Sequence, residues 1–386
     1  MEGKAHALEL EIFDLIAREG PIPFARFMAM ALYHPRLGYY TSGGERIGKG
    51  GDYLTSSDIS PIFGRMLARQ LAEMDDLLQS PKTFTVTELG AGKGALACQI
   101  LKSLREYHPD LYSRTRYIIL EKSPVMLELQ HEMLDEERDI VWAGSHEDPI
   151  LKGAVGCVLS NEFFDALPVH IVELAGEGGI REIYVDRDED GFKEAREDPS
   201  TPDLIGYLHR QGIDLAPGQR AEICLEALKW IKRIADFLSR GFVITIDYGY
   251  PAEELYAPHR PRGTLLAYHR HSASEDIFAD VGKQDLTAHV NFTALAIWGR
   301  DYGLDLTGFT DQLGFFLGLG IDEVLEEMDS SDRLAHISMV QSAKELFMPG
   351  GMGEVFKVLI QHRGIPSPRL KGLLMKPFKR WKINLP

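Results

Sequence analysis

The chain has 386 residues, 44% of them hydrophobic, and a formal net charge of -16, so it has enough material for one large elaborated domain or two ordinary ones. The acidic balance argues against a nucleic-acid groove as the main binding surface and mildly favours a cationic substrate. No apolar run approaches the roughly 20 residues that span a bilayer, and the acidic N-terminal segment is unlike a signal or transit peptide, so we expect a cytoplasmic protein.

The N-terminal part, residues 1–80, predicts a layer of helices and one long loop. Apolar residues at helical spacing indicate a helix over residues 5–19, and PIPFARFMAMALYHPRLGYY predicts a second helix that ends at a Pro and Gly turn. GGERIGKGGDYLTSSDISP has the glycine and hydroxyl content of a loop, and a third helix is predicted after Pro61. Such a loop is either a plain connector or a cover for a functional site.

Strands and helices alternate from residue 83 onward. The strand segments TFTVTEL, RYIILE, DIVWAG, VGCVLSNEF and FVITIDYGY are apolar, and this pattern predicts a parallel, doubly wound α/β sheet. We assign residues 81–172 and 216–365 to this core, residues 173–215 to an inserted β subdomain of hairpins, and residues 366–386 to a basic tail. AEICLEALKWIKRIADFLSRG is predicted to be a helix closed by Gly241.

A glycine elbow, GAGKG, follows the first core strand. Gly90, Gly92 and Gly94 are spaced more tightly than the dinucleotide pattern G-x-G-x-x-G, and the Ser or Thr of a P-loop is missing. Glu88 stands at the end of the strand, two residues before the elbow. A carboxylate in that place repels a pyrophosphate but attracts the amino group or sulfonium of a cationic cofactor such as S-adenosylmethionine (SAM).

Glu121 ends the second core strand, where α/β nucleotide sites place an acid for the ribose hydroxyls. NAD and SAM share that need, so Glu121 supports an adenosine cofactor without separating the two. A solvated strand end remains the alternative for both Glu88 and Glu121. Trp142 ends the third core strand, and there it either packs on an adenine or belongs to the core.

The end of the fourth core strand, NEFFDALP, is the candidate acceptor site. Glu162 and Asp165 are placed to clamp a guanidinium between carboxylates, and Asn161 to orient the acceptor or the cofactor. A helix N-cap at Asp165 is an equally good interpretation.

A further polar segment, DLTAHVNF, contains Asp285 and His289. The two side chains would form a proton-accepting pair for the proton that a methylated nitrogen loses, although a structural hydrogen bond is the commoner role of such a histidine. The three cysteines lie far apart, and the HRH segment at residues 269–271 lacks further ligands at suitable spacing. We therefore predict no metal site.

Nine segments in chain order resemble the MidA family, also called DUF185, of SAM-dependent methyltransferases related to a mitochondrial complex I assembly factor. They are FARFMAMALYHPRLGYY, GGDYLTSSDISPIFG, ELGAGKGALA, LEKSP, NEFFDALPV, IDYGY, GTLLAYHRH, DLTAHVNF and FKVLIQ. The resemblance implies a class I, Rossmann-like methyltransferase fold: a seven-stranded sheet whose last strand is antiparallel, with LDLTGFT and EVFKVLIQHRG as the final pair. Implied cofactor contacts are Glu88, Gly90, Gly92, Gly94 and Glu121, with Thr55 and Ser56 closing over SAM.

The acceptor follows from the same resemblance. The mitochondrial relatives symmetrically dimethylate an arginine of a complex I subunit, which implies an arginine in a partner protein, with a respiratory-complex subunit as one candidate. The chain departs from the family pattern in the loop at Ser57 and Asp58, in the elbow, and at Asn291, where an acid is usual. We predict a protein arginine N-methyltransferase of bacterial type; a SAM-binding assembly factor without catalysis and an NAD-linked oxidoreductase are the alternatives.

Overall fold

The computed structural model describes residues 2–42, 60–176, 178–269, 272–327, 344, 346–347, 351–375 and 382–385. The predicted cofactor contacts Thr55 and Ser56 lie outside the described residues, as do two residues of the HRH segment. Within these ranges, no helix combines the length and the apolar character needed to cross a membrane.

Helices and strands are numbered here in chain order over the described residues. The helices are α1 (Glu2–Glu19), α2 (Phe24–Tyr33), α3 (Ile62–Leu77), α4 (Ala95–Tyr107), α5 (Pro109–Arg114), α6 (Pro124–Met133), α7 (Asp203–Arg210), α8 (Leu225–Phe237), α9 (Ala252–Leu255), α10 (Phe292–Asp301), α11 (Gln312–Gly318), α12 (Ile321–Glu326) and α13 (Met352–Val355). The strands are β1 (Ile22–Pro23), β2 (Phe84–Leu89), β3 (Thr115–Leu120), β4 (Ile140–Ala143), β5 (Ala154–Asn161), β6 (His170–Leu174), β7 (Ile180–Arg187), β8 (Phe192–Glu197), β9 (Arg220–Ile223), β10 (Leu238–Tyr250), β11 (Leu266–His269), β12 (Ser272–Ser274), β13 (Asp285–Thr287), β14 (Val290–Asn291), β15 (Asp305–Asp311) and β16 (Phe356–Arg363).

The central sheet has the strand order β15-β16-β10-β5-β2-β3-β4, with β14 paired to the end of β10. Strands β10, β5, β2, β3 and β4 run parallel, whereas β16 is antiparallel to both of its neighbours. This order and the antiparallel last strand confirm the predicted class I fold, including β15 and β16 as its final pair.

Helices cover both faces of the central sheet. Alternate residues of β10 point to opposite sides: Phe242 and Ile244 pack with α3 and α4, while Val243 packs with α8 and α10. Burial on both faces explains why these strands are almost continuously apolar. The polar residues at the strand ends therefore project from the carboxyl edge of a fully covered sheet.

A second sheet, β1-β7-β6-β9 with β8 on β7, is antiparallel throughout. It contains the hairpins predicted for the insertion, but its strands also take in residues 170–172 and 220–223 and the N-terminal strand β1. Its two faces are buried differently, since Ile171 packs with α1 and α2 whereas Val172 packs with α7. The insertion and the N-terminal layer thus share one core.

The predicted helix closed by Gly241 is wrong at both ends. Its first residues form β9, α8 ends at Phe237, and β10 begins at Leu238. Gly241 lies inside β10 at φ 145°, where an added Cβ would be 2.0 Å from the carbonyl oxygen of Gly156 on β5. The glycine permits the close approach of two strands and does not stop a helix.

Candidate active site

A cleft of about 1850 Å³ opens at the carboxyl ends of β2, β3 and β5. The strand order reverses between β2 and β5, which is where open α/β sheets bind their ligands. The glycine elbow and the ends of these strands form one part of the wall, while α2, α7, α8 and several neighbouring segments line the rest. Within the described residues, no group of His, Cys, Asp or Glu side chains is placed to hold a metal ion.

The glycine elbow lines this cleft directly before the N-terminus of α4. Gly90, Gly92 and Gly94 have φ values of 70°, 52° and 87°, a region that L side chains rarely adopt. A Cβ added to Gly90 would lie 2.9 Å from Cδ2 of Phe163. The elbow thus has the backbone shape and the open surface that let a cofactor approach main-chain N–H groups.

Glu88 lines the same cleft but is almost fully buried, at 2% exposure. The hydroxyl of Tyr117 donates a hydrogen bond of 2.7 Å to Glu88 Oε2. Burial raises the pKa of Glu88 to about 7, and the hydrogen bond from Tyr117 opposes this shift. A neighbouring positive charge favours the ionised form of such a carboxyl, so this environment suits a cationic cofactor.

The carboxylate of Glu121 is held in one orientation on the cleft wall. Its Oε1 accepts hydrogen bonds of 2.8 Å from the backbone N–H groups of Lys122 and Ser123. Burial raises the pKa of Glu121, and these hydrogen bonds counteract the rise. An acceptor fixed in this way beside the elbow fits the ribose hydroxyls of an adenosine cofactor.

Gln130 of α6 is a site residue that sequence reasoning missed. Its buried amide Nε2 donates to the carbonyl oxygen of Gly92 at 2.7 Å and to Glu121 Oε2 at 3.1 Å, and its Oε1 accepts from Trp142 Nε1 at 3.0 Å. One side chain therefore ties the elbow to the ribose-binding acid. Trp142 supports Gln130 and packs on His131 at 4.0 Å between ring centroids, and it lies against the core cluster of the sheet, which agrees with the second of its two interpretations.

Asn161 and Glu162 both line the cleft, beside the elbow. Glu162 has a φ of 51°, which is unfavourable for a residue with a side chain. Asn161 Nδ2 donates to Glu162 Oε1 at 3.1 Å, and Asn161 Oδ1 is buried with no hydrogen-bond partner among the described residues. Backbone strain and an unsatisfied buried oxygen at the mouth of the sheet mark a place where a ligand is expected.

Asp165 does not take part in the predicted carboxylate clamp. It is buried outside the cleft lining, and the hydroxyl of Tyr248 donates a hydrogen bond to its Oδ2. It is not a helix N-cap either, because residues 164–167 form a turn that no helix follows. Burial raises the pKa of Asp165 to about 6. Its neighbour Asp247 accepts the backbone N–H groups of Phe163 and Phe164 and holds the turn, so the clamp is reduced to Glu162.

The predicted pair of Asp285 and His289 is not formed, since each side chain has other contacts. Tyr40 donates its hydroxyl to Asp285 Oδ1 at 2.8 Å, while the His289 ring packs on Tyr248 and Tyr250. Neither residue is part of the cleft wall described above. Burial lowers the pKa of His289 to about 4, which makes it a poor proton acceptor.

Asn291, which departs from the family pattern, has a structural role here. Its Oδ1 accepts the backbone N–H of Ala294 at 3.0 Å and so caps α10, and its Nδ2 donates to Gln211 Oε1 at 2.8 Å. Because the same amide is donor and acceptor, an acid at this position would lose one of these bonds. The departure therefore falls outside the candidate active site.

The sheet order, the elbow and the two strand-end acids define a class I SAM-dependent methyltransferase. Residues 66–310 match the family described as S-adenosyl-L-methionine-dependent methyltransferases. The chain belongs to this family, the MidA or DUF185 methyltransferases, as the ordered motifs predicted.

Relatives of known name and structure agree with this assignment. A COG1565 superfamily member from Burkholderia thailandensis, solved with bound S-adenosyl-homocysteine, is 33% identical, with a TM-score of 0.87 over 96% of this chain and 95% of that chain. The mitochondrial protein arginine methyltransferase NDUFAF7 homolog of Drosophila melanogaster is 28% identical over 92% of this chain and 84% of its own length. Its Homo sapiens counterpart is 27% identical, with coverages of 92% and 83%. The predicted cofactor, SAM, is confirmed, and the NAD-linked alternative is not.

Proposed function

We propose that the protein is a protein arginine N-methyltransferase that acts on a partner protein. The observation that carries this proposal is the carboxylate of Glu162, held on the cleft wall beside the glycine elbow by Asn161. A carboxylate accepts two parallel hydrogen bonds from a guanidinium, and Asn161 presents Glu162 in a fixed orientation for them. The relatives named as protein arginine methyltransferases support the same acceptor.

SAM, when bound, supplies an electrophilic methyl group. Glu162 would hold the guanidinium through its N–H groups, draw the positive charge toward those nitrogens and leave the remaining nitrogen as the nucleophile. As the new C–N bond forms and the S–CH3 bond breaks, S-adenosyl-homocysteine would leave, and the proton of the methylated guanidinium would pass to the Glu162 carboxylate. Phe163 follows directly and packs edge-on against Trp230, with 5.1 Å between ring centroids, which keeps the elbow side of the cleft apolar. Fixing the acceptor in this way lowers the entropic part of the barrier, which is the main aid a methyl transfer needs.

Methyl transfer into proteins tests the proposal. The purified protein is incubated with tritiated SAM and a lysate of a strain that lacks it, and labelled bands are hydrolysed to identify the methylated amino acid. We expect methylarginine in at least one band, and mass spectrometry of that band identifies the acceptor and tests the candidate class of respiratory-complex subunits.

Three variants locate the chemistry. Glu162→Gln should abolish labelling but keep the affinity for S-adenosyl-homocysteine, whereas Glu88→Ala should lose both. Glu128→Gln, an exposed glutamate of α6, is the matched control and should keep both. If the wild type labels no band above Glu88→Ala, the protein binds SAM without transferring its methyl group; if Glu162→Gln labels normally, Glu162 does not hold the acceptor.

A further inference from the structure

A histidine that the proposed chemistry does not use also lines the cleft. His170 is the first residue of β6, and its side chain is 17% exposed. Its Nδ1 lies 2.7 Å from Oε1 of Glu182 on β7, and the Glu182 side chain is 0% exposed. The other oxygen of Glu182 accepts the backbone N–H of Ser200 at 2.6 Å. A fully buried acid thus holds a histidine at the edge of a cavity.

The charge of this acid makes the arrangement costly. Burial would raise the pKa of Glu182, but the hydrogen bonds from His170 and Ser200 outweigh it and hold the pKa below its usual value. Burying an ionised carboxylate costs free energy, which its hydrogen bonds must recover. Carboxylates in this relation to an imidazole fix the orientation of the ring and the nitrogen at which it binds. Because Nδ1 contacts Glu182, Nε2 is the ring nitrogen with which His170, a residue of the cleft lining, would meet a ligand.

His170 lies in an arm of the cleft that is built outside the central sheet. We call this the acceptor arm: Ala25 and Ala29 of α2, His170 of β6, and residues 201–203 with Gly206. Ala25 and Ala29 carry only a methyl group and Gly206 has no side chain, so these helix positions take up little of the cleft. Pockets for small ligands occupy about 300–1000 Å³. The whole cleft, at about 1850 Å³, therefore has room for more than the cofactor.

We propose that His170, oriented by Glu182, positions the acceptor: its Nε2 makes a hydrogen bond to the polypeptide segment that carries the target arginine in the acceptor arm. The inference rests on the proposed function for the identity of the acceptor. It goes beyond that function by assigning recognition of the segment to the insertion and the N-terminal layer. The competing explanation is that the pair only ties the Ser200 turn to the second sheet.

Two substitutions of His170 distinguish a role in acceptor binding from a purely structural role, because each new side chain places a polar group at the position of one imidazole nitrogen. His170→Asn places an amide where Nδ1 lies and keeps a donor for Glu182, whereas His170→Gln places its amide near the position of Nε2. The acceptor probe is an equimolar library of N-acetylated, C-amidated nonapeptides with a central arginine, methylated from tritiated SAM. His209→Gln, an exposed histidine of α7 outside the cleft wall, is the matched control.

We expect His170→Asn to raise KM for the library about tenfold, as the loss of one hydrogen bond does, with a smaller change in kcat. His170→Gln should lie closer to the wild type, and calorimetry should show unchanged affinity for S-adenosyl-homocysteine in both variants. The proposal is overturned if His170→Asn behaves as the wild type while His170→Gln is impaired, since the role is then structural. It is also overturned if both keep the wild-type KM, or if either loses affinity for S-adenosyl-homocysteine.

A second measurement does not depend on methyl transfer. Diethyl pyrocarbonate modifies accessible imidazoles, and mass spectrometry reads His170 and His209 separately in the protein loaded with S-adenosyl-homocysteine. The library should protect His170 and leave His209 unchanged; equal modification of His170 with and without the library overturns the proposal. Protection of His170 without transfer would refute the proposed function alone, whereas transfer without protection would refute this inference alone.

Discussion

Glu88 is a buried, ionisable residue on the wall of the cofactor cleft. Its position before the glycines was enough to predict a cationic ligand, because the sign of a charge follows from the residue type. Its environment was not predictable, since the hydrogen bond from Tyr117 depends on the pairing of β2 with β3. The environment of Gln130 was even less predictable from the sequence. A glutamine inside an amphipathic helix gives no signal for its three partners, which come from three other segments.

The raised pKa of Glu88 predicts that cofactor binding depends on pH. A bound cation stabilises the ionised carboxylate, so binding below about pH 7 must release a proton. The affinity for SAM should rise as pH increases through about 7, by at most about tenfold per pH unit. Calorimetry in buffers of different ionisation enthalpy measures both the affinity and the released proton. Glu88→Gln should bind more weakly with a flatter pH profile, and a wild-type affinity independent of pH would contradict the assignment.

The raised pKa of Glu88 also makes the stability of the protein without cofactor depend on pH. The folded-state pKa of Glu88 lies above its unfolded value, so its stabilising contribution is complete below the unfolded pKa of about 4.3 and is lost as pH rises through about 7. Thermal unfolding should therefore show Glu88→Gln losing less stability than the wild type between about pH 5 and about pH 8. Parallel pH profiles of the two proteins would refute this.

Gln130→Leu tests whether the amide positions the cofactor site. The substitution leaves the Gly92 carbonyl and the Trp142 indole N–H without their partner, and Glu121 loses one of its donors. We expect the affinity for S-adenosyl-homocysteine to fall about tenfold, since two of the three lost hydrogen bonds, those to Gly92 and Glu121, are made to the cofactor site itself. Glu128→Gln on the same helix is the control for calorimetry. Unchanged binding in Gln130→Leu would reduce Gln130 to a packing role.

At the level of elements, the sequence predicted the helices and strands wherever the spacing of apolar residues was regular. The alternation of apolar strands with amphipathic helices predicted the parallel sheet, and the resemblance supplied its antiparallel last strand. It failed at the boundary between β9, α8 and β10, because a strand of four residues is too short to interrupt a helical period and Gly241 imitates a helix stop. Strand contacts such as that of Gly241 with Gly156 are long-range properties, which local patterns do not contain.

Alanine substitutions at two glycines can distinguish the steric requirement for Gly90 in the elbow from its conformational requirement. Gly90→Ala would force a side chain into the left-handed region and bring Cβ to 2.9 Å from Phe163. Gly212→Ala has a similar φ of 65° but nothing within 4 Å of the added Cβ, so it isolates the backbone cost, about 1 kcal/mol. Gly90→Ala should lower the free energy of unfolding further than Gly212→Ala and should also weaken binding of S-adenosyl-homocysteine. Chemical denaturation and calorimetry measure the two effects, and equal destabilisation would mean that the Phe163 contact is easily relieved.

At the scale of the molecule, two regions far apart in sequence form one structural unit beside the methyltransferase core. β1 pairs with β7, and the helices of the N-terminal layer share a buried cluster with the second sheet. The sequence predicted both regions but gave no indication that they join, because neither has a local pattern that names its partner. Their contact bears on the further inference, since residues of both regions line the acceptor arm.

Substituting Phe27 of α2 tests whether the N-terminal layer and the second sheet form one structural unit. It is fully buried and makes edge-on ring contacts with Phe192 at 5.3 Å and Phe278 at 5.4 Å between centroids. Phe27→Ala should lower stability by about 3–5 kcal/mol through the cavity it leaves. Because the central sheet has its own clusters, we expect the loss to concentrate in the unit that contains α2.

Amide hydrogen exchange measures which elements lose stability in Phe27→Ala. Phe27→Ala should speed amide exchange in α2, β6 and β7 and leave β2 and β5 protected, with the affinity for S-adenosyl-homocysteine retained. Methyl transfer to the peptide library should weaken through KM, because the walls of the acceptor arm no longer hold their spacing. Leu10→Ala, at a 47% exposed position of α1, is the control and should change neither exchange nor KM. Faster exchange in β5, or lost cofactor binding, would show instead that the two units unfold together.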